Sequence, residues 1–227
     1  MIGWLLIIII LIGLFFAISL YIYDNSKFSK LTGYSYFNFL QDKEVRSHYN
    51  LVSNLQKVPG DYEVLLNVVL PTNNVKADVV FVHQSGIHII NFKRMTGWIY
   101  GREQDPEWAE VQYREKLNKF DNPLIENKIA ILELKQILGL ADSMPIHSLV
   151  VFSDNCSFKK VEVQSRNTDV LKIKELKAYW NESMDKHLSK DEIMKIYLDL
   201  NKYVTLKKSP EKSKANSVVT NSNFAHK

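Results

Sequence analysis

Positions 1–23 hold no charged side chain and are apolar almost throughout, whereas from Asp24 onward polar and apolar residues mix at short periods. About 20 consecutive apolar residues suffice to cross a bilayer as a helix, so the opening stretch predicts a membrane span. A removable signal peptide would carry a basic leader, a shorter apolar core and a small-x-small cleavage site, and none is evident. Trp4 near one end and Tyr21 and Tyr23 at the other stand where interfacial aromatics belong.

Beyond the span, residues 24–41 are polar and aromatic without a strong period and read as a juxtamembrane linker. Val45, Tyr49, Val52 and Leu55 then recur at helical spacing until Pro59-Gly60 stops them. Residues 62–70 read as a strand ended by Pro71, and residues 72–76 as a turn. Two β-branched and aromatic runs follow, 77–83 and 87–93, joined by Gln84-Ser85-Gly86, which is the pattern of a hairpin. Residues 95–101 and 108–113 suggest two more strands. Asn122-Pro123 is a helix start, a capping side chain followed by proline at the first helical position. Ile125, Ile129, Leu132 and Leu138 form the apolar stripe of that helix, and Gly139 ends it. Residues 147–152 are a near-continuous apolar strand of the kind buried on both faces. The last third reads as helical: 174–186, then a helix whose Ser189 and Glu192 form a capping box ahead of Ile193, Ile196, Tyr197 and Leu200. From Leu206 on, Lys, Ser, Asn and Pro dominate, which predicts a disordered basic tail over 206–227.

This order of elements predicts an α/β domain with a central mixed sheet flanked by helices. The expected organisation is a transmembrane helix at 1–23, a linker at 24–41, a domain at 42–155, a helical extension at 156–205 and the tail. At 227 residues and 46% hydrophobic content, one domain of ordinary size plus appendages can be built. A net charge of +4 does not by itself establish nucleic-acid binding. Lys27, Lys30, Lys43 and Arg46 follow the span, and the positive-inside bias then puts the C-terminal domain in the cytoplasm. The single cysteine, Cys156, excludes an intramolecular disulfide framework and reads as a free structural thiol in a reducing compartment. Lys207, Lys208, Lys212 and Lys214 in the tail are available to anionic lipid or nucleic acid, with a solvated tail as the default.

Candidate chemistry centres on the hairpin. With side chains alternating at period two, Asn91 and Lys93 share a face, and Asp78 on the opposite strand lies near them across the ladder. A phosphodiester nuclease needs carboxylates to hold a hard divalent ion and a cation near the attacking water or the scissile phosphate. Asp78 and Lys93 suit those roles. Asn91 offers a carbonyl but no charge. On spacing alone, the default reading is that Asp78 is a strand-start residue and Lys93 an edge residue facing water.

The string 60–71, then Asp78, then 86–93, Gly97-Trp98-Ile99-Tyr100-Gly101 and 122–127 resembles the NERD family, the nuclease-related domain, over about residues 46–155. The resemblance implies a restriction-endonuclease-like core after a single N-terminal transmembrane helix. It implies a metal site built from an Asp, a Glu-x-Lys pair and a helix Glu, with Mg2+ or Mn2+ as cofactor in an active member. The Asp falls on Asp78, which would be the metal ligand, and the Lys on Lys93, which with Arg94 would face nucleic acid. The Glu of Glu-x-Lys falls on Asn91. The Gly-Glu pair of the first helix falls on Ser47-His48, with Glu44 one turn earlier, leaving Glu44 and His48 as accessory candidates. The Gln that often follows Asn-Pro falls on Glu126, a carboxylate able to rejoin the site if its helix points inward.

Two expected acids are thus replaced, and ligand losses typically cost about 10 to 100-fold in affinity or activity each. His83, His88, His147 and His187 show no metal-ligand spacing. Three readings follow: a membrane-tethered pseudoenzyme with a binding role toward DNA, RNA or another partner; a metal-dependent nuclease with a rearranged site around Asp78 and Lys93; and a membrane-associated assembly factor unrelated to nucleic acid.

Overall fold

A computed structural model describes residues 2–71, 75–113, 116–141, 143–181 and 185–205. The described residues divide into two compact units, one within residues 2–49 and one within residues 50–205. The predicted basic tail at 206–227 lies outside the described residues.

In the first unit, α1 (Ile2–Asp24) is the one described helix long and apolar enough to cross a membrane. The stretch expected to be an aperiodic linker instead holds two short capped helices, α2 (Lys27–Thr32) and α3 (Tyr36–Gln41). Ser26 caps the first and Gly33 closes it in the left-handed conformation. Ser35 and Asn38 form a reciprocal capping box on the second. Helical period is invisible in six residues, so the caps were the readable signal. The helices are held by rings rather than aliphatics: Tyr23, Phe28, Phe39 and Tyr49 meet with centroids 5.0–6.5 Å apart. Tyr49 lies on α4 (Lys43–Leu55), whose second half belongs to the other unit.

The second unit is α/β with two sheets. The first has the order β1 (Tyr62–Leu70), β2 (Val75–His83), β3 (Gly86–Lys93), β7 (Ile146–Phe152), β9 (Thr168–Lys172). Its first three strands are antiparallel, and β7 and β9 join in parallel. The second sheet runs β6 (Lys116–Asp121), β5 (Glu107–Gln112), β4 (Trp98–Arg102), β8 (Ser157–Glu162). These mixed sheets with flanking helices are consistent with the α/β core expected from the sequence. β3 and β7 sit in the middle of their sheet and are buried almost throughout, as continuous apolar strands should be. Because β3 is central, Lys93 is not the edge residue that spacing alone allowed.

Two features of the hairpin bear on the site. His83 pairs with Gly86, so the turn is the two residues Gln84 and Ser85. Gly86 has φ +131° and a Cβ there would lie 2.4 Å from the Pro145 carbonyl, so only glycine fits. On the other side of β2, the β1 ladder runs from Tyr62↔His83 to Leu70↔Val75 but skips Asn67, which has φ +52°. The unpaired position opposite Asn67 is Asp78.

α5 (Pro123–Leu138) begins and ends where expected, with Asn122 as cap and Gly139 left-handed. The Asn122 side chain accepts from Leu124 N and donates to the carbonyls of Asp105 and Glu103. Its buried face differs from the expected stripe. Leu124, Asn127, Ala130 and Leu134 face inward, whereas Ile125, Ile129 and Leu132 are 39%, 45% and 62% exposed. The helix is apolar on nearly every side, so periodicity could not choose a face. Asn127 does, donating to the Ile89 and Leu149 carbonyls and to Ser148 Oγ, and so tying α5 to β3 and β7.

The segment read as a helical extension contains β8 and β9, each closing one sheet by parallel pairing. Both are short, β8 mostly exposed and β9 half-buried, so they lack the apolar run that marks a buried strand. The helix expected over 174–186 is a 3-10 turn (Ile173–Glu175) and the short α6 (Leu176–Asn181). α7 (Lys190–Asn201) has the expected Ser189–Glu192 capping box. After it, Tyr203 O accepts from Val69 N and Asn67 O from Thr205 N, so the outer edge of β1 is covered by the chain itself.

Candidate functional site

The alternation of strand side chains places Asp78 with Val80 and Val82 on β2, and Asn91 and Lys93 with Ile87 and Ile89 on β3. The aliphatic members share one core cluster with Ala130 and Leu134 of α5. The α5 helix therefore covers the face that carries all three polar groups, and its first turn presents Glu126 to them. One carboxylate oxygen, Glu126 Oε2, accepts from Asn91 Nδ2 at 2.6 Å and from Lys93 Nζ at 3.0 Å. Glu126 thus turns inward. Asn91, Lys93 and Glu126 converge on one point.

Asp78 is engaged differently. The β2–β3 ladder ends at Val79↔Ile90, and Asp78 Oδ2 accepts from the backbone N–H of Phe92 at 3.1 Å. The side chain replaces a ladder hydrogen bond where strand pairing fails on both flanks. Its other oxygen lies 3.6 Å from Lys76 Nζ. Asp78 therefore has a structural task that spacing did not reveal.

The charges decide what this cluster can hold. Asp78 and Glu126 bring two negative charges, and Lys76 and Lys93 bring two positive ones within ion-pair distance. A dehydrated divalent cation needs net negative charge from its ligands, and here the balance is zero. Among the described residues no group of three or more His, Cys, Asp or Glu is arranged to hold a metal. As they stand, these residues do not fit a catalytic divalent ion. Asn91 supplies a further detail: its Oδ1, in a residue only 6% exposed, has no hydrogen-bond partner. The amide cannot be reversed to relieve this, because Nδ2 must face the Glu126 carboxylate.

Arg94 is exposed just past the end of β3. Glu44 and His48 lie on the part of α4 that belongs to the first unit; His48 Nδ1 is 2.9 Å from the Glu44 carbonyl, a contact within the helix.

Two supporting residues went unnoticed in the sequence. Glu110 is buried, and its Oε1 accepts from Thr96 N and Gly97 N at 2.8 and 2.9 Å. Burial pushes this carboxyl up, but the two N–H donors, with Gln112 and Asn118, outweigh it and hold it below its ordinary value. Ser153 N donates to Lys93 O at 3.1 Å and Ser153 Oγ to Met95 O at 2.5 Å. Together they fix the loop after Lys93 and hence the end of β3. A lone glutamate in a half-polar strand gave no signal of this.

An uncharacterized protein of Bacillus anthracis is 30% identical over 142 residues, 61% of this chain. The chain spans 66% of the length of that curated relative. No solved structure matches at a significant level. Residues 42–153 match the family model of the nuclease-related domain, NERD, and the matched segment holds Asp78, Asn91, Lys93 and Glu126 together.

Proposed function

We propose that this chain is a membrane-anchored nuclease-related domain protein, with a restriction-endonuclease-like core whose nuclease site is degenerate, and that it binds nucleic acid or a partner without cutting. The observation that carries this reading is the saturation of Glu126 Oε2 by Asn91 and Lys93. The one carboxylate gained on α5 neutralises the lysine instead of adding to a metal site, and Asp78 is occupied by Phe92 N and Lys76. The apolar α1 serves as the anchor, and the positive-inside bias of Lys27, Lys30, Lys43 and Arg46 sets the folded domain on the cytoplasmic side. Lys93 and Arg94 contribute phosphate contacts.

The test is calorimetry of the full chain in detergent micelles with millimolar Mg2+ or Mn2+, beside a cleavage assay on DNA and RNA. The degenerate reading expects neither metal uptake nor cleavage, with nucleic-acid binding that weakens steeply with salt. Metal-dependent cleavage abolished by Asp78→Ala overturns it. One observation favours the rearranged nuclease as a second reading: the unpartnered Asn91 Oδ1 is a hard oxygen between two carboxylate-bearing elements. Binding that is indifferent to salt would favour the assembly-factor reading.

A further inference from the structure

Three histidines without ligand spacing in the sequence meet on the face of the first sheet opposite Asn91 and Lys93. His88 of β3 is fully buried, His83 of β2 nearly so, and His147 of β7 stacks on His88 with centroids 4.6 Å apart. His187 is an electrostatic neighbour of His147. Over them lies Trp180 of α6, 5.2 Å from His88 and 5.2 Å from Phe81.

Backbone groups fix the His83 end of this group. Ser85 N donates to His83 Nδ1 at 3.2 Å, so that nitrogen is bare and the His83 proton sits on Nε2, donating to the Pro59 carbonyl at 2.9 Å. Ser85 Oγ lies 2.7 Å from the same Nδ1 and 3.0 Å from His88 Nε2, so its hydroxyl links the two rings and its one hydrogen can serve either. His88 Nδ1 and Trp180 Nε1, both buried, have no hydrogen-bond partner among the described residues. A proton added at His88 Nδ1 would be buried without an acceptor among the described residues.

The same turn holds the C-terminal segment. Gln84 O accepts from His187 N at 2.8 Å and from Leu188 N at 3.0 Å, while Gln84 N donates to Asp61 O at 3.0 Å. Leu188 is buried in the core cluster just ahead of the α7 cap. The hairpin tip thus joins three segments, and the relay sits beneath it.

We propose that the His83–Ser85–His88 relay, with His147 stacked on it, is an acid-sensitive latch that keeps α6 and residues 185–188 on the sheet and lets them go when an imidazole is protonated. A proton on His83 Nδ1 turns that nitrogen into a donor, so it can no longer accept from Ser85 N, and the Ser85 hydroxyl must rotate its hydrogen away. A proton on His88 Nδ1 creates a buried cation against His147. Burial pushes His88, His83 and His147 below the ordinary histidine range; the His147 and His83 neighbours add to it at His88, and His187 at His147. The opposing groups are Asp61 and the Pro59 carbonyl at His83, and Asp169 at His147. Tyr179 of α6 donates to Asp169 at 3.2 Å, and Tyr62, paired across the ladder from His83, donates to Gln56 O. Among the described residues, the charged neighbours acting on His88 are His147 and His83. The uptake of one proton on release raises the released population about tenfold per pH unit between the free and latched titration ranges.

Hydrogen exchange of the full chain in detergent micelles, followed by mass spectrometry and corrected for intrinsic exchange, tests this between pH 7 and pH 5. Peptides from α6 and residues 185–188 are expected to lose protection by tenfold or more, while α5 peptides keep theirs. His88→Gln, whose amide N–H still reaches Ser85, is expected to hold protection at pH 5. Should that variant fail to fold, His147→Gln, at a less buried position, is expected to shift the loss to lower pH. Unchanged protection in wild type, or equal loss in α5, overturns the proposal.

Discussion

Asn91 and Glu126, 35 positions apart in the chain, are joined by a 2.6 Å hydrogen bond from the Asn91 amide to the oxygen that also takes Lys93. The bond explains why an asparagine is stable at this buried position. A carboxylate there would face a second carboxylate directly, whereas the amide supplies the donor that Glu126 needs.

That relationship makes Asn91→Glu informative. The added charge shifts the balance of the cluster from zero to one negative, and affinity for Mg2+ is expected to rise by roughly 10 to 100-fold. Calorimetry of the variant against the parent chain checks it; equal heats would show that charge is not what the cluster lacks.

Glu126→Gln removes the internal partner of Lys93. Both side chains are partly exposed, so the stability cost is expected to stay within about 1 kcal/mol. If Lys93 is a phosphate contact, the freed ammonium tightens DNA or RNA binding and raises the salt slope by about one. Anisotropy titrations at several salt concentrations measure both.

The face of α5 can be read by paired truncations. Leu134 is fully buried, and Leu134→Ala is expected to cost about 2 to 5 kcal/mol. Leu132→Ala, on the exposed side, should stay within about 0.5 kcal/mol. Urea denaturation of the two variants reverses this order if the stripe of Ile125, Ile129 and Leu132 is the buried one.

Gly86→Ala tests the hairpin tip. The positive φ alone costs about 1 to 3 kcal/mol, and the Pro145 carbonyl leaves no room for a methyl group. A fall in the urea midpoint is expected, and an unchanged midpoint would mean that the turn is not as tight as described.

Stability should also depend on pH with a definite sign. His83, His88 and His147 bind protons less readily in the fold than in the unfolded chain. The unfolded state therefore holds more protons as pH drops below the ordinary 6.5, and stability rises with pH there. Their contribution is complete above that value, is lost as pH falls, and levels off below the folded titration range. The slope is about 1.4 kcal/mol per pH unit for each proton taken up. Glu103 and Glu110, held low by hydrogen bonds in spite of burial in the case of Glu110, add a second loss below the ordinary carboxylate range. Urea midpoints from pH 8 to pH 4 trace both steps.

What the sequence determined by itself were the features that depend on near neighbours. The apolar run of α1, the hairpin of β2 and β3, the Asn122-Pro123 start and Gly139 stop of α5, and the Ser189 capping box each need only a few consecutive residues, since caps, turns and alternation are local physics. Tertiary structure decided everything that depends on pairing at a distance. It chose the face of an all-round apolar α5 through Asn127, and made strands of the polar segments β6, β8 and β9 because neighbours satisfied their backbones. It turned Glu126 onto Asn91 and Lys93, and gathered His83, His88 and His147 under Trp180. Burial and charge balance are properties of a neighbourhood, and the neighbours of these residues lie far along the chain.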